Sequence, residues 1–171
     1  MVFSCADSRV PPEHVFNAGL GDLFVIRAAG EVVDRSVLAT IEYGAEHLHI
    51  PLLVVMGHES CGAVKAAAED TGGPRSANLD YMLKAIQAAR SQLPKERDDI
   101  KALVLANVEQ AINDAITKSP VVQHLVDTGS LQIVGAYYEL ASGRVTFSAP
   151  VSTSAPASAR AETPAPAGAR H

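Results

Sequence analysis

Cys5, Asp7 and Arg9 set a soft metal ligand, a carboxylate and a permanent cation at alternate positions of "CADSR". Where the backbone is extended, that spacing turns all three side chains to one face. A folding core does not require such an arrangement. A second cluster follows the apolar run "LLVVM": in "GHESCG", His58 and Cys61 stand at H-x-x-C spacing. The pattern predicts a strand ending at Met56, a turn at Gly57, and a helix with Cys61 in or near its first turn. A thiol there lies in the positive potential of a helix N-terminus, which favours the metal-binding thiolate. Both clusters close apolar strands, and ligands of open α/β sheets gather beyond the carboxyl ends of strands. If the two strands are neighbours, Cys5, His58 and Cys61 converge although they lie far apart in sequence.

Two thiolates and one imidazole make a Zn²⁺ ligand set with three protein ligands and a fourth position left for water or for Asp7. A closed structural site normally takes four protein ligands, and Cys5 and Cys61 are the only cysteines of the chain. The thiolates cancel the formal charge of zinc, which leaves a weaker Lewis acid than a metal held by three neutral imidazoles. Neighbouring groups then matter. Asp7 is suited to accept a hydrogen bond from water at the metal, and Arg9, paired with Asp7, keeps that carboxylate ionised and turned away. Were the pair to break, Asp7 would itself fill the fourth position. The plainer alternative for the same residues is a structural thiol, a capping histidine and a surface ion pair.

Positioning these groups requires alternating elements. Apolar runs at 2–4, 23–27, 52–56, 131–138 and 144–148 predict strands. Residues 35–49 place Val37, Leu38, Ile41, Ala45 and Leu48 on one stripe behind Asp34 as N-cap, and 61–69, 78–93 and 98–117 also read as helices. Ser119 and Pro120 pair an N-cap with a first-turn proline, opening a short helix that ends near Gly129. The compact turn Ala141-Ser142-Gly143 predicts an antiparallel hairpin from the last two strands. This order predicts an α/β domain over 1–148, with a mainly parallel central β-sheet, flanking helices and an antiparallel C-terminal hairpin at the edge. Residues 149–171 are rich in Ala, Pro and Ser with hardly a large apolar side chain, the composition of a disordered tail.

With 47% hydrophobic and 19% charged residues over 171 positions, the chain has the make-up of one globular domain. Its net charge of −5 argues against nucleic acid or an anionic membrane as a partner. No apolar run is long enough for a bilayer, and the N-terminus lacks a signal-peptide pattern. Two widely spaced cysteines without such a signal read as reduced thiols in a cytoplasmic protein.

"CADSRVPPE", "GDLFVIRAAG", "IEYGAEHL" and "VVMGHESCGAV", in this order, strongly resemble the β-class carbonic anhydrases, and "NVEQAINDAITKSPVVQHLVDTGSLQIVGAYYELASGRVTF" is similar to that family's C-terminal half. The resemblance covers 1–148. It implies reversible hydration of CO2 to bicarbonate and a proton by hydroxide on one Zn²⁺ per chain, held by Cys5, His58 and Cys61. It further implies Asp7 and Arg9 as the catalytic dyad, Phe24 and Tyr43 as the pocket aromatics of the plant-like subgroup, and Gly62 as a backbone N–H facing substrate. The family also implies a homodimer, or a multiple of dimers, with the pocket shared across the interface. Without the resemblance, Phe24 and Tyr43 would be ordinary core aromatics.

Three departures stand beside it. Only four residues precede Cys5, so the family's N-terminal helical arm and its pocket glutamine have no counterpart in this sequence. "RAAGE", residues 27–31, ends in Glu31 where the family often has an amide. Val2 stands where the bicarbonate-regulated subgroup has tryptophan, and the chain contains no tryptophan at all. Two other functions fit the same residues: hydrolysis of CS2 or COS on the same site, and a catalytically inactive zinc-stabilised oligomerisation module. No proton carrier stands out among His14, His47 and His49.

Overall fold

Three apolar runs too short and too β-branched for helices assemble the middle of a single sheet. The computed structural model describes residues 1–94 and 99–151. Strands β1 (Val2–Ser4), β2 (Val25–Arg27), β3 (Leu52–His58), β4 (Gln132–Tyr138) and β5 (Val145–Phe147) lie in the order β2-β1-β3-β4-β5. All pairings are parallel except the antiparallel β4–β5 edge. This is the mixed, mainly parallel α/β sheet that the alternation of elements predicts.

All the α-helices but the short first one share one side. α2 (Arg35–Glu42), α5 (Ile100–Lys118) and α6 (Pro120–Asp127) bring Val37, Ile41, Val108, Ile112 and Val122 against Phe3, Leu53, Val55 and Ile133. α3 (Gly62–Ala68) and α4 (Ala77–Arg90) extend that layer, packing Val64, Leu83 and Ile86 with Leu103 and Val104 of α5 around Cys5 and Cys61. The opposite face is thin: Val2, Val54, Met56 and Ala136 are covered by α1 (Pro12–Val15) and by Phe16 and Leu23 beyond it. The caps foreseen in the sequence are formed. Asp34 accepts from the Val37 amide at 2.9 Å, and the Ser119 hydroxyl accepts from the Val122 amide at 3.1 Å.

Several local expectations are corrected. β3 does not stop at Met56; it runs through Gly57 to His58, paired with Tyr137 and Tyr138 of β4. The predicted 35–49 helix ends as a regular helix at Glu42 and widens into a π-helical turn, Tyr43–His47. Gly44 within that turn leaves room for the Phe24 ring, whose edge would lie 3.1 Å from any added Cβ. Cys61 caps α3 from outside, with extended backbone, so the helix begins at Gly62. Segment 5–9 does not continue β1 as an alternating strand, because Asp7 Oδ1 accepts from the Arg9 amide at 2.9 Å and folds it into a turn. Ser148 and Val151 still follow β4, their amides donating at 2.9 Å to Gly135 and Ile133. Of the tail expected at 149–171, residues 152–171 lie outside the described residues. No described helix is long and apolar enough to cross a membrane.

Gly57 is needed for packing rather than for a turn. A Cβ there would meet Val104 Cγ1 at 2.6 Å and Val108 Cγ2 at 2.8 Å, so the missing side chain lets α5 lie directly on β3. Gly57→Ala is expected to cost about 1–3 kcal/mol through overpacking. Urea denaturation measures this, and an unchanged midpoint would show that α5 is not pressed against the strand.

Candidate metal centre

Parallel pairing sets Ser4 beside Met56, so Cys5, leaving β1, enters the same crevice as His58, the last residue of β3. The chain then turns at Glu59 and Ser60. Ser60 takes the left-handed conformation with φ 55°, uncommon for a residue with a side chain, and this turn brings Cys61 back beneath His58. Cys5 Sγ and Cys61 Sγ come to 3.9 Å, and one ligand atom from each of Cys5, His58 and Cys61 fits within 4.8 Å of the others.

The donors suit a tetrahedral soft cation. Two sulfurs at about 2.3 Å from one tetrahedral centre stand roughly 3.8 Å apart, close to the separation found. His58 is fully buried, and its Nδ1–H donates to the Glu59 carbonyl at 2.9 Å. That bond fixes the tautomer with the lone pair on Nε2, and Nε2 has no hydrogen-bond partner. A buried acceptor left unpaired costs about 1–3 kcal/mol, which a metal bond removes. Cys5 is held below the ordinary thiol range chiefly by its contact with Cys61, whose own thiol is pushed up by the same contact and by burial. A cation binds the deprotonated sulfurs, so its binding would release protons from this pair.

Asp7 stands over this triad with Oδ2 4.0 Å from His58 Nε2. Arg9 grips it side-on: Nε donates to Oδ1 at 3.0 Å and Nη2 to Oδ2 at 2.6 Å. This fork, more than any other contact, holds the Asp7 carboxyl well below the usual carboxylate range, so it stays ionised through neutral and mildly acidic pH. Arg9 Nη2 also donates to the Ser60 carbonyl at 3.1 Å, tying the Asp7 turn to the turn that carries Cys61.

Sequence reading misses the partners of these residues. Arg27, the last residue of β2, donates from Nε to the Cys5 carbonyl at 2.9 Å and from Nη2 to the Asp7 carbonyl, bracketing the turn from the other side. Gly30 donates its amide to Cys5 Sγ at 3.5 Å. Only the arginine and glycine of "RAAGE" hint at such roles, and neither type points to a particular partner.

The remaining predicted site residues divide. Gly62 opens α3 beside Cys61, with nothing within 4 Å of where its Cβ would be, and as a first-turn residue its amide has no partner within the helix. Phe24 and Tyr43 lie together, ring centroids 6.2 Å apart, but at the opposite end of the sheet. The Val2 amide donates to the Phe24 carbonyl, which sets Phe24 level with Met1. Cys5 is four residues further on, about 13 Å along a strand. Within one chain the two aromatics do not reach the metal ligands. The His47 ring lies tilted against Tyr43, centroids 5.4 Å apart, and shares its distant position.

Comparison with protein families matches residues 1–145 to the carbonic anhydrase family. Carbonic anhydrase 2 of Mycobacterium tuberculosis is 40% identical over 152 residues, covering 86% of this chain and 72% of the relative. Among solved structures, a β-carbonic anhydrase of Coccomyxa in complex with acetazolamide superposes with a TM-score of 0.78 at 28% identity, over 88% of this chain and 72% of that one. One of two tetrameric β-carbonic anhydrases of Sordaria macrospora gives a TM-score of 0.75 at 24% identity, over 88% and 81%.

Glu31 is the residue least expected so close to two thiols. It is 1% exposed, has φ 50°, and leaves Oε1 without a partner, while Oε2 accepts from Asn107 Nδ2 at 3.3 Å. Burial first, and the charge on Cys5 second, push its carboxyl well above the ordinary range. A raised acid pKa favours folding fully below the unfolded value of about 4.3 and progressively less above it. Glu31→Gln is therefore expected to be more stable than the parent at pH 8, with the advantage shrinking toward pH 4.5. Denaturation midpoints at the two pH values check this; a deficit at pH 8 would contradict it.

Proposed function

The chain belongs to the carbonic anhydrase family, in its β class, and we propose that it reversibly hydrates CO2 to bicarbonate and a proton on zinc held by Cys5, His58 and Cys61. The observation that carries this reading is His58 Nε2, a buried lone pair with no protein partner, within reach of two buried sulfurs. Zinc, when bound, supplies the Lewis acidity that makes water nucleophilic near neutral pH.

The protein's own part is orientation and charge. Asp7, kept ionised by Arg9, is an acceptor only, so a water entering the site must point a proton at Oδ2 and turn a lone pair toward substrate. The Arg9 fork and the Arg27 bridge to the Cys5 and Asp7 carbonyls oppose rotation of Asp7 onto the metal position. Gly62 offers its amide to an oxygen of CO2 or bicarbonate. Phe24 and Tyr43 serve as an apolar wall in a homodimer, where the pair from one copy meets the metal site of the other. Two features support that assembly: the distance of the aromatics from Cys5 in their own chain, and Tyr43 being half exposed. The two free thiols support a cytoplasmic working place.

Stopped-flow CO2 hydration above pH 8 tests the reading: fast turnover that a chelator abolishes and zinc restores is expected. Full zinc loading without CO2 turnover would overturn it. Asp7→Ala is expected to keep zinc and lose about 10²–10⁴-fold in kcat/KM; near-normal hydration would remove the role given to Asp7. Cys61→Ala is expected to fall far below one zinc per chain by elemental analysis, and full occupancy would overturn the ligand assignment.

A further inference from the structure

α5 turns an apolar stripe to the interior, with Leu103, Val104, Val108 and Ala111 all buried, and Asn107, only 4% exposed, breaks it. A buried carboxamide in such a stripe is costly unless its donors are used. Here they reach the tight turn that follows β2, Ala29–Glu31. Asn107 Nδ2 donates to the Gly30 carbonyl at 2.7 Å and to Glu31 Oε2 at 3.3 Å. On the other side of the same Cα, the Gly30 amide donates to Cys5 Sγ at 3.5 Å.

Gly30 has little freedom to turn away. It holds φ 64°, a conformation glycine adopts without strain, and a Cβ on it would lie 2.6 Å from Ile86 Cδ1 and 3.1 Å from Ala63 Cβ. α3 and α4 therefore press on its Cα while Asn107 grips its carbonyl. The one group of Gly30 left to point elsewhere is its N–H, and it points at the Cys5 sulfur.

We propose that Asn107 is a positioning residue of the metal centre: by holding the Gly30 carbonyl it keeps the Gly30 N–H on Cys5 Sγ and so sets how strongly that sulfur donates to the metal. The inference rests on Cys5 being a ligand. An N–H directed at a thiolate withdraws electron density from sulfur and leaves the cation more electrophilic. In a site where two thiolates already cancel the cation's formal charge, that correction acts directly on Lewis acidity. A neutral amide provides it without adding charge beside the sulfurs.

The experiment uses the full chain loaded with Co²⁺, whose thiolate-to-metal absorption band reports sulfur donor strength. Asn107→Leu, of similar volume but without a donor, is expected to move the band to lower energy and to weaken zinc binding roughly 10–100-fold in chelator competition. Asn107→Val, smaller and equally without a donor, replaces it should leucine overpack and the chain fail to fold. Val104→Ala removes packing from the same face of α5 but no hydrogen bond, and is expected to leave the band in place. An unmoved band in a folded Asn107 variant overturns the proposal, as does an equal shift in Val104→Ala. Absence of any thiolate band in the parent protein would instead overturn the metal reading, and this inference with it.

Discussion

Because β1 and β3 run parallel with Ser4 level with Met56, residues leaving both strands enter one crevice, and everything chemical in this chain depends on that register. A slip of one residue would send Cys5 to the other side of the sheet. The register is fixed by burial on both faces: Phe3 and Val55 are sealed under the helical layer, while Val2, Val54 and Met56 lie under α1. A three-residue strand could not hold its place alone. Between β2 and the longer β3, it has hydrogen-bonding neighbours on both sides.

Around the crevice, cations and anions are arranged in layers. Two sulfurs and an imidazole form the floor, a carboxylate stands above them, and two guanidiniums clamp the turn that carries both Cys5 and Asp7. Arg27 works through the Cys5 and Asp7 carbonyls, so it constrains geometry without pairing with the sulfurs. Arg9 is half exposed, and screening by solvent limits its energetic weight. Its bidentate geometry matters more, since it directs Asp7 as well as binding it. Buried Glu31, by contrast, sits where desolvation first and the charge on Cys5 second push its carboxyl well above the ordinary range.

The convergence of Cys5, His58 and Cys61 was legible in the sequence because soft donors are scarce and metal geometry tolerates few spacings. Cys5, His58 and Cys61 could be brought together from strand ends alone, and the Asp7–Arg9 pair drew notice by its nearness to Cys5. The strand alternation likewise showed, since apolar runs bounded by turn residues announce themselves. What stayed hidden is tertiary. Gly57 resembles a turn residue in sequence, yet it is a gap into which α5 fits. Arg27 and Asn107 act through main-chain atoms on the far side of the fold, and no local pattern marks which carbonyl a side chain will find. Phe24 and Tyr43 could be recognised only by resemblance; their position at the opposite sheet end is set by register, which spacing does not encode.

The two halves of the site reach each other only through contacts of long sequence separation, and this has a kinetic side. His58 and Cys61 lie in one hairpin-sized segment, whereas Cys5 joins them after a parallel crossover that spans β2 and α2. Parallel pairings of this kind impose a loop-closure penalty before any contact rewards it, and they form late. An unfinished chain therefore presents a two-point chelate at best, and the three-point site appears with the closing of the central sheet. A cation bound at all three points would therefore add its binding free energy to the native strand order alone, which ties metal affinity to the topology of the central sheet.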